Sequence, residues 1–173
     1  MTRRWDQQIT PAPDDPANIH PSFISALTSL STSLSYLAST IPPTPLLRIY
    51  RSITQNLTTH ISHRAVYSGW SKFTSIGGQS FQQEISDLIH TSQESLNVIP
   101  GEVVSRQWKS LVDLGKVLAL PNERIGDEAT FQEAMRVAWS GEEGVKGFCG
   151  RLGVELDAAV LQALLRRRVE CWR

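Results

Sequence analysis

His60 and His63 stand three residues apart, a spacing that turns two imidazoles toward one side of a helix and lets them share a metal ion. Neither HExxH nor Glu-x-x-His supplies further ligands, so both histidines read as surface or rim residues. Glu84 and Asp87 repeat the i, i+3 spacing with carboxylates. An acid–base pair needs a pocket and one raised pKa, and no pattern signals either. An early-turn position, where the helix dipole favours an anion, accounts for Glu84. Gly77-Gly78 is followed by Gln79-Ser80, not the Lys-Ser/Thr that would reach phosphates, and GxGxxG is absent, so the glycines mark a tight corner. Cys149 and Cys171 are too few for a disulfide scaffold or a four-thiolate zinc site, and no GxSxG elbow or Cys–His signature occurs. Asn56-Leu57-Thr58 is a glycosylation sequon placed mid-helix, and Met1 to Pro16 carries no apolar signal-peptide core. No catalytic, cofactor-binding or metal-binding residue is assigned, and no enzyme or cofactor is expected. A metal hydrolase built on His60, His63 and Glu84 would need stoichiometric metal. Trp70, Phe73, Trp108 and Trp139 read first as core aromatics and second as anchors for a partner.

The elements that must position these residues are helices. Phe23, Leu27, Leu30, Leu34, Leu37 and Ile41 draw one apolar stripe opposite a Ser/Thr face, and Pro42, Pro43 and Pro45 end it. Those hydroxyls compete for backbone hydrogen bonds, so this helix needs tertiary packing. A second helix starts near Pro45 and carries Leu46, Tyr50, Ile53, Leu57, Ile61 and Ala65 until Gly69. Gly77-Gly78 opens a third, with Phe81, Ile85, Leu88, Ser92 and Leu96. Pro100-Gly101 precedes a fourth, with Val104, Trp108, Leu111, Gly115 and Leu118, broken at Pro121-Asn122. Three shorter helices follow. The first has Asp127 or Glu128 in its first turn and Phe131, Met135 and Ala138 inside. The second runs through Val145, Phe148 and Leu152 to Gly153. The last carries Val160, Leu161, Leu164 and Leu165, with Arg166, Arg167 and Arg168 in its closing turns. No alternating β-branched run exists. The expected fold is an all-α bundle of about four longer and three shorter helices. Residues 1–21, with Pro11, Pro13, Pro16 and Pro21, read as a Pro-rich flexible segment. Residues 22–173 read as the helical domain, divisible into a main bundle over 22–121 and small terminal helices over 122–173.

The chain has 173 residues, 17 Lys and Arg against 17 Asp and Glu, and 40% hydrophobic content, which fits one globular domain and no membrane span. The balance hides an asymmetry. No Asp or Glu lies between Pro16 and Gln83, a stretch holding Arg48, Arg51, Arg64 and Lys72, whereas acids outnumber bases 14 to 11 from Glu84 onward. A functional reading gives that acid-free stretch and the Arg166–Arg168 cluster to RNA or anionic lipid, with salt-dependent binding as its mark. Its structural counterpart is that Ser and Thr supply the polar face, and that the arginines complement a helix C-terminus.

Residues 47–120 include LRIYRSITQNLTTHISHRAVYSGWSKFTSIGGQSFQQEISDL and WKSLVDLGKVLAL. This segment resembles the C-terminal region of the Rad-fifty-interacting protein and yeast Tip-twenty family of ER vesicle-tethering subunits. The carrying features are the corner Phe73-x-x-x-Gly77-Gly78, the Gln/Phe/acid helix after it, and Leu118-Ala119-Leu120 closing a later helix. The ending FCGRLGVELDAAVLQALLRRR is similar to the family's terminal helix pair, with a Leu-Gly step before the last helix. Family members are several times longer, so the chain corresponds to their final part. The resemblance implies a bundle like the C-terminal bundles of multisubunit tethering-complex proteins. It also implies a non-catalytic role in Golgi-to-ER retrograde transport, with ER SNARE proteins and other tether subunits as partners. Nucleic acid is not expected under it, and membrane association on the cytosolic face of the ER would run through partners.

Phe73, Gly77 and Gly78 are the corner the resemblance rests on. Replacing either glycine by Val is expected to cost more than about 1 kcal/mol if that glycine has positive φ, measured by thermal unfolding.

Overall fold

A computed structural model describes residues 21–67, 72–123 and 128–172. Over these the chain is all-α, with eight α-helices, a π-helical turn and a terminal 3-10 turn, and no strand. Helix α1 (Pro21–Thr40) carries the expected stripe but buries only Leu34 fully, while Phe23, Leu27, Leu30, Leu37 and Ile41 stay half-buried. Its hydroxyls fold back on the helix: Thr28 donates to the Ile24 carbonyl at 2.9 Å, Thr32 to Thr28 at 2.8 Å and Ser33 to Ser29 at 2.9 Å. Such back-bonding adds little helix stability, so α1 depends on its neighbours. Helix α2 (Pro43–Ser62) has both prolines in its first turn, where a missing N–H costs nothing, so it begins two residues before Pro45. It passes directly into the π-helical turn His63–Tyr67, and the wider turn lets adjacent Ala65 and Val66 both enter the core. Gly69 and Trp70 lie outside the described residues.

Helix α3 (Ser75–Ser95) starts ahead of the two glycines, because the Thr74 side chain accepts the Gly77 N–H at 3.0 Å and caps it. The expected fourth helix is two pieces, α4 (Gly101–Arg106) and α5 (Lys109–Leu118). The break falls at Gln107 and Trp108, where the backbone tightens to a bond from Trp108 N–H to the Ser105 carbonyl at 2.9 Å. Helix α6 (Phe131–Ala138) is capped by Thr130, whose hydroxyl accepts the Glu133 N–H at 3.2 Å. Glu128 therefore precedes the helix instead of serving its first turn, and Asp127 lies outside the described residues. Helix α7 (Glu142–Leu152) ends at Gly153 as its sequence suggests, with φ +66° and a bond from Val154 N–H to the Cys149 carbonyl at 3.0 Å. Asp157 caps α8 (Ala158–Leu165) by accepting the Val160 N–H at 2.7 Å. Arg166 to Arg168 come after α8, not within its closing turns.

Packing joins these pieces into one large core and a smaller one. The large core runs from Ala65 and Phe73 through Phe81, Leu111 and Leu118 to Phe131, Phe148 and Leu161, with α3 lying along α5 and α8 against α5 and α6. The smaller core gathers Leu34, Leu46, Tyr50, Leu96, Ile99 and Val104 around the far end of α1 and α2. Trp108 and Tyr50 link them: the fully buried indole donates its Nε1–H to the Tyr50 hydroxyl at 2.7 Å, and that hydroxyl donates to the Val104 carbonyl at 3.4 Å. The break between α4 and α5 lies where this indole is seated. On the other side, buried Asp113 accepts from Lys109 at 3.2 Å and from the Glu155 N–H at 3.0 Å, holding the loop after α7 to α5.

Gly78 sets the closest approach. A Cβ there would stand 1.9 Å from the Leu118 carbonyl oxygen and 2.4 Å from its carbon, so α3 reaches the end of α5 only with no side chain at 78. Neither corner glycine has positive φ, and the requirement is space, not backbone conformation. Gly147 on α7 has nothing within 4 Å of the same position. Gly78→Ala is expected to destabilise the fold by about 1–3 kcal/mol, against its gain in helix propensity. Gly147→Ala is expected to stabilise it by about 0.4–1 kcal/mol, both read by denaturant unfolding.

Candidate functional site

Phe73 leaves the corner in an isolated parallel bridge to the chain's end. Its N–H donates to the Arg167 carbonyl at 2.7 Å, and its own carbonyl accepts the Val169 N–H at 2.9 Å. The buried ring meets Phe81 edge-on at 5.8 Å. The bridge delivers the side chain of Arg168 inward, where it has 0% exposure. Its Nη1 donates to the carbonyls of Leu118 and Leu120, both at 2.8 Å, and its Nη2 donates to Asn122 Oδ1 at 2.8 Å. Glu170 receives Nε at 2.9 Å and Nη2 at 3.1 Å, and the guanidinium lies over the Phe131 ring at 4.7 Å. Leu118 is the last residue of α5 and Leu120 lies just past it, so neither carbonyl has a partner within that helix. A cation at that end also meets the negative pole of the helix dipole. Arg168 answers both needs at once.

This corrects the reading of Arg166 to Arg168 as a basic patch. Arg168 is consumed inside the fold, and the Arg167 Nε donates to the Val66 carbonyl at 2.6 Å, with burial drawing its pKa down. Only Arg166 of the three is exposed. Burial alone would raise the Glu170 carboxyl, but hydrogen bonds from Arg168 and Asn122 outweigh it and bring the pKa from 4.5 to about 2.

The second feature is an apolar cleft of about 550 Å³ between α1, α2 and α3. Helix α1 packs mainly on α3 and only lightly on α2, so the hairpin of α1 and α2 opens toward the start of α1. Phe23, Leu30, Leu37, Ile53, Leu57 and Leu88 are among its lining. Exposed His60 stands on α2 and exposed Arg64 in the π-helical turn after it, and buried Glu84 lies on α3.

The remaining candidates do not converge. His60 lines the cleft and His63 does not, although both are exposed. Among the described residues, no three His, Cys, Asp or Glu side chains are placed to hold a metal. Glu84 faces the cleft, whereas Asp87 accepts from Gln83 at 3.0 Å outside it, so the two carboxylates do not form one site. Cys149 is buried, which raises its thiol pKa, and Cys171 is half-buried against the large core. Phe73 and Trp108 are core aromatics, while Trp139 is 49% exposed at the end of α6.

The sequence model of the RINT-1/TIP-1 family matches residues 1–168. The chain belongs to the RINT-1/TIP-1 family. No curated protein and no solved structure matches it. Membership places the chain in a family of tethering subunits, and the matched span covers the corner, the eight described α-helices and Arg168. Among the described residues no helix is long and apolar enough to cross a membrane. Sequence reasoning missed the clamp and the cleft. A run of three arginines announces charge but not which one turns inward, and a void between helices leaves no mark on either stripe.

Two outcomes follow from the clamp. The depressed pKa of Glu170 means that the unfolded chain binds more protons as pH falls below about 4.5, so stability drops from there toward about pH 2. Its full contribution, on the order of 3 kcal/mol, is present at neutral pH, and Glu170→Gln should flatten this acid limb in urea unfolding at stepped pH. Arg168→Met should cost about 3–5 kcal/mol by leaving Glu170 and the Leu118 and Leu120 carbonyls without their partner, measured in the same way.

Proposed function

We propose that this chain is a non-catalytic protein-interaction domain of a vesicle-tethering subunit in Golgi-to-ER retrograde transport. Its partners in this reading are ER SNARE proteins and other subunits of the ER tethering complex, which hold it peripherally on the cytosolic face of the endoplasmic reticulum. The observation that carries the reading is the family match over residues 1–168, combined with an all-helical fold. Residues 22–173 act as the tether-like domain, and residues 1–21 as its lead. The physical mechanism is recognition of a helix or a helix face, in which apolar anchors supply affinity and the charges around them supply selectivity.

The test is an affinity pull-down of the tagged chain from a eukaryotic lysate, with mass spectrometry of the retained proteins. Recovery of ER SNAREs or tether subunits in stoichiometric amounts is expected. A folded, monodisperse sample that retains none of them would contradict the reading.

A further inference from the structure

The cleft has the periodicity of a missing helix. On α1 Phe23, Ala26, Leu30, Ser33 and Leu37 line it at 3-4-3-4 spacing, with Ser22, Ser29 and Leu34 beside them. On α2 it is lined by Ile53, Leu57, His60 and Ile61, with Arg64 following in the π-helical turn, and its floor on α3 is Leu88 with buried Phe81, Glu84 and Ile85. Helices α1 and α2 therefore turn apolar faces of helical period toward one space above α3, an arrangement that can receive the side chains of another helix. The lining from Ser22 to Leu37 runs about 22 Å along α1, room for about four helical turns. Ala26, Ser29 and Ser33 are small, which permits close approach. The stripe of α1 stays half-buried because no fourth helix covers it among the described residues.

Charge selects the kind of helix. Among the described lining residues the exposed ionisable side chains are His60 on α2 and Arg64 in the π-helical turn that follows it. Glu84 is 9% exposed and already engaged in an interaction of its own. Between Pro16 and Gln83 no acidic residue stands on either wall. We infer that this cleft is the docking seat for an amphipathic helix of a partner protein, one carrying a heptad apolar stripe flanked by carboxylates that meet Arg64 and His60. The inference rests on the proposed interaction role and gives that role a face. An acyl chain would use the apolar volume but not the helical period of the two walls or the paired charges on one of them.

The probe is a fluorescent three-heptad peptide with Leu at the seam positions and Glu flanking them, beside a twin with Lys in place of Glu. Binding to the full chain is read by anisotropy. The Glu peptide should bind about tenfold or more tightly than the Lys twin, and Arg64→Glu should reverse the order. Ser33→Trp, at an exposed position that fills the cleft, should abolish binding of both, and Ser29→Trp serves the same end if Ser33→Trp does not fold. Equal binding of the two peptides, binding that survives both tryptophans, or saturable binding to phosphatidylserine vesicles but to neither peptide would overturn the inference. So would a self-associated dimer, seen by sedimentation, that Ser33→Trp dissociates, since the seat would then belong to a second copy. SNARE or tether capture that persists in Ser33→Trp would overturn the cleft while leaving the proposed function standing. Loss of capture by the unaltered chain, with peptide binding intact, would do the reverse.

Discussion

A guanidinium with no exposure to water must find its partners inside the protein, and the positions of those partners fix much of this fold. Arg168 draws on the last carbonyl of α5, on Leu120 and Asn122 beyond that helix, on Glu170 and on the face of Phe131 in α6. Removing a buried charge from its partners costs far more than forming the set contributes, so these segments are bound to arrive together. The Leu118 carbonyl is the common point: Arg168 donates to it, and α3 passes over it at Gly78. The Phe73 bridge then ties the corner before α3 to the residues that carry the arginine. Leu118 and Phe73, far back in the sequence, are held by the Arg168 side chain and by the backbone of its two neighbours.

The opposite end of the molecule is held differently. Its core is smaller, its polar tie is the Tyr50–Trp108 bond, and α1 adds a single fully buried residue. With hydroxyls bonded back to its own carbonyls, α1 keeps its helix by leaning on α3, including a Ser31–Ser95 hydroxyl contact at 3.0 Å. The apolar cleft lies between these two ends, running from Phe23 and Phe81 on the corner's side to Leu37 and Ile53.

The helices were legible because amphipathic spacing records which side of a helix is covered, and Gly153 and the prolines record where the chain must turn. The family corner was legible as a pattern, but its reason was not. Gly78 is required by the approach of α5, a contact with a residue 40 positions away that no local rule contains. The break at Trp108 was hidden for a similar cause, since its periodicity continues through α5 while the indole's partner sits on α2. Thr130, not Glu128, caps α6, because a short hydroxyl reaches the N–H three residues on. Arg166 to Arg168 looked alike in sequence. Their different fates are set by a bridge between residues 73 and 168 that composition and spacing do not encode.

The most direct test of this account is native-state hydrogen exchange at the amides of Phe73 and Val169. Both lie outside the α-helices, and their N–H groups make the hydrogen bonds of the bridge beside Arg168. If the clamp organises the fold, they should exchange only through global unfolding, with the same free energy as core amides of α5. Exchange at a much lower free energy, with α5 still protected, would mean that the chain's end opens by itself and that the clamp is a consequence of the fold and not its constraint.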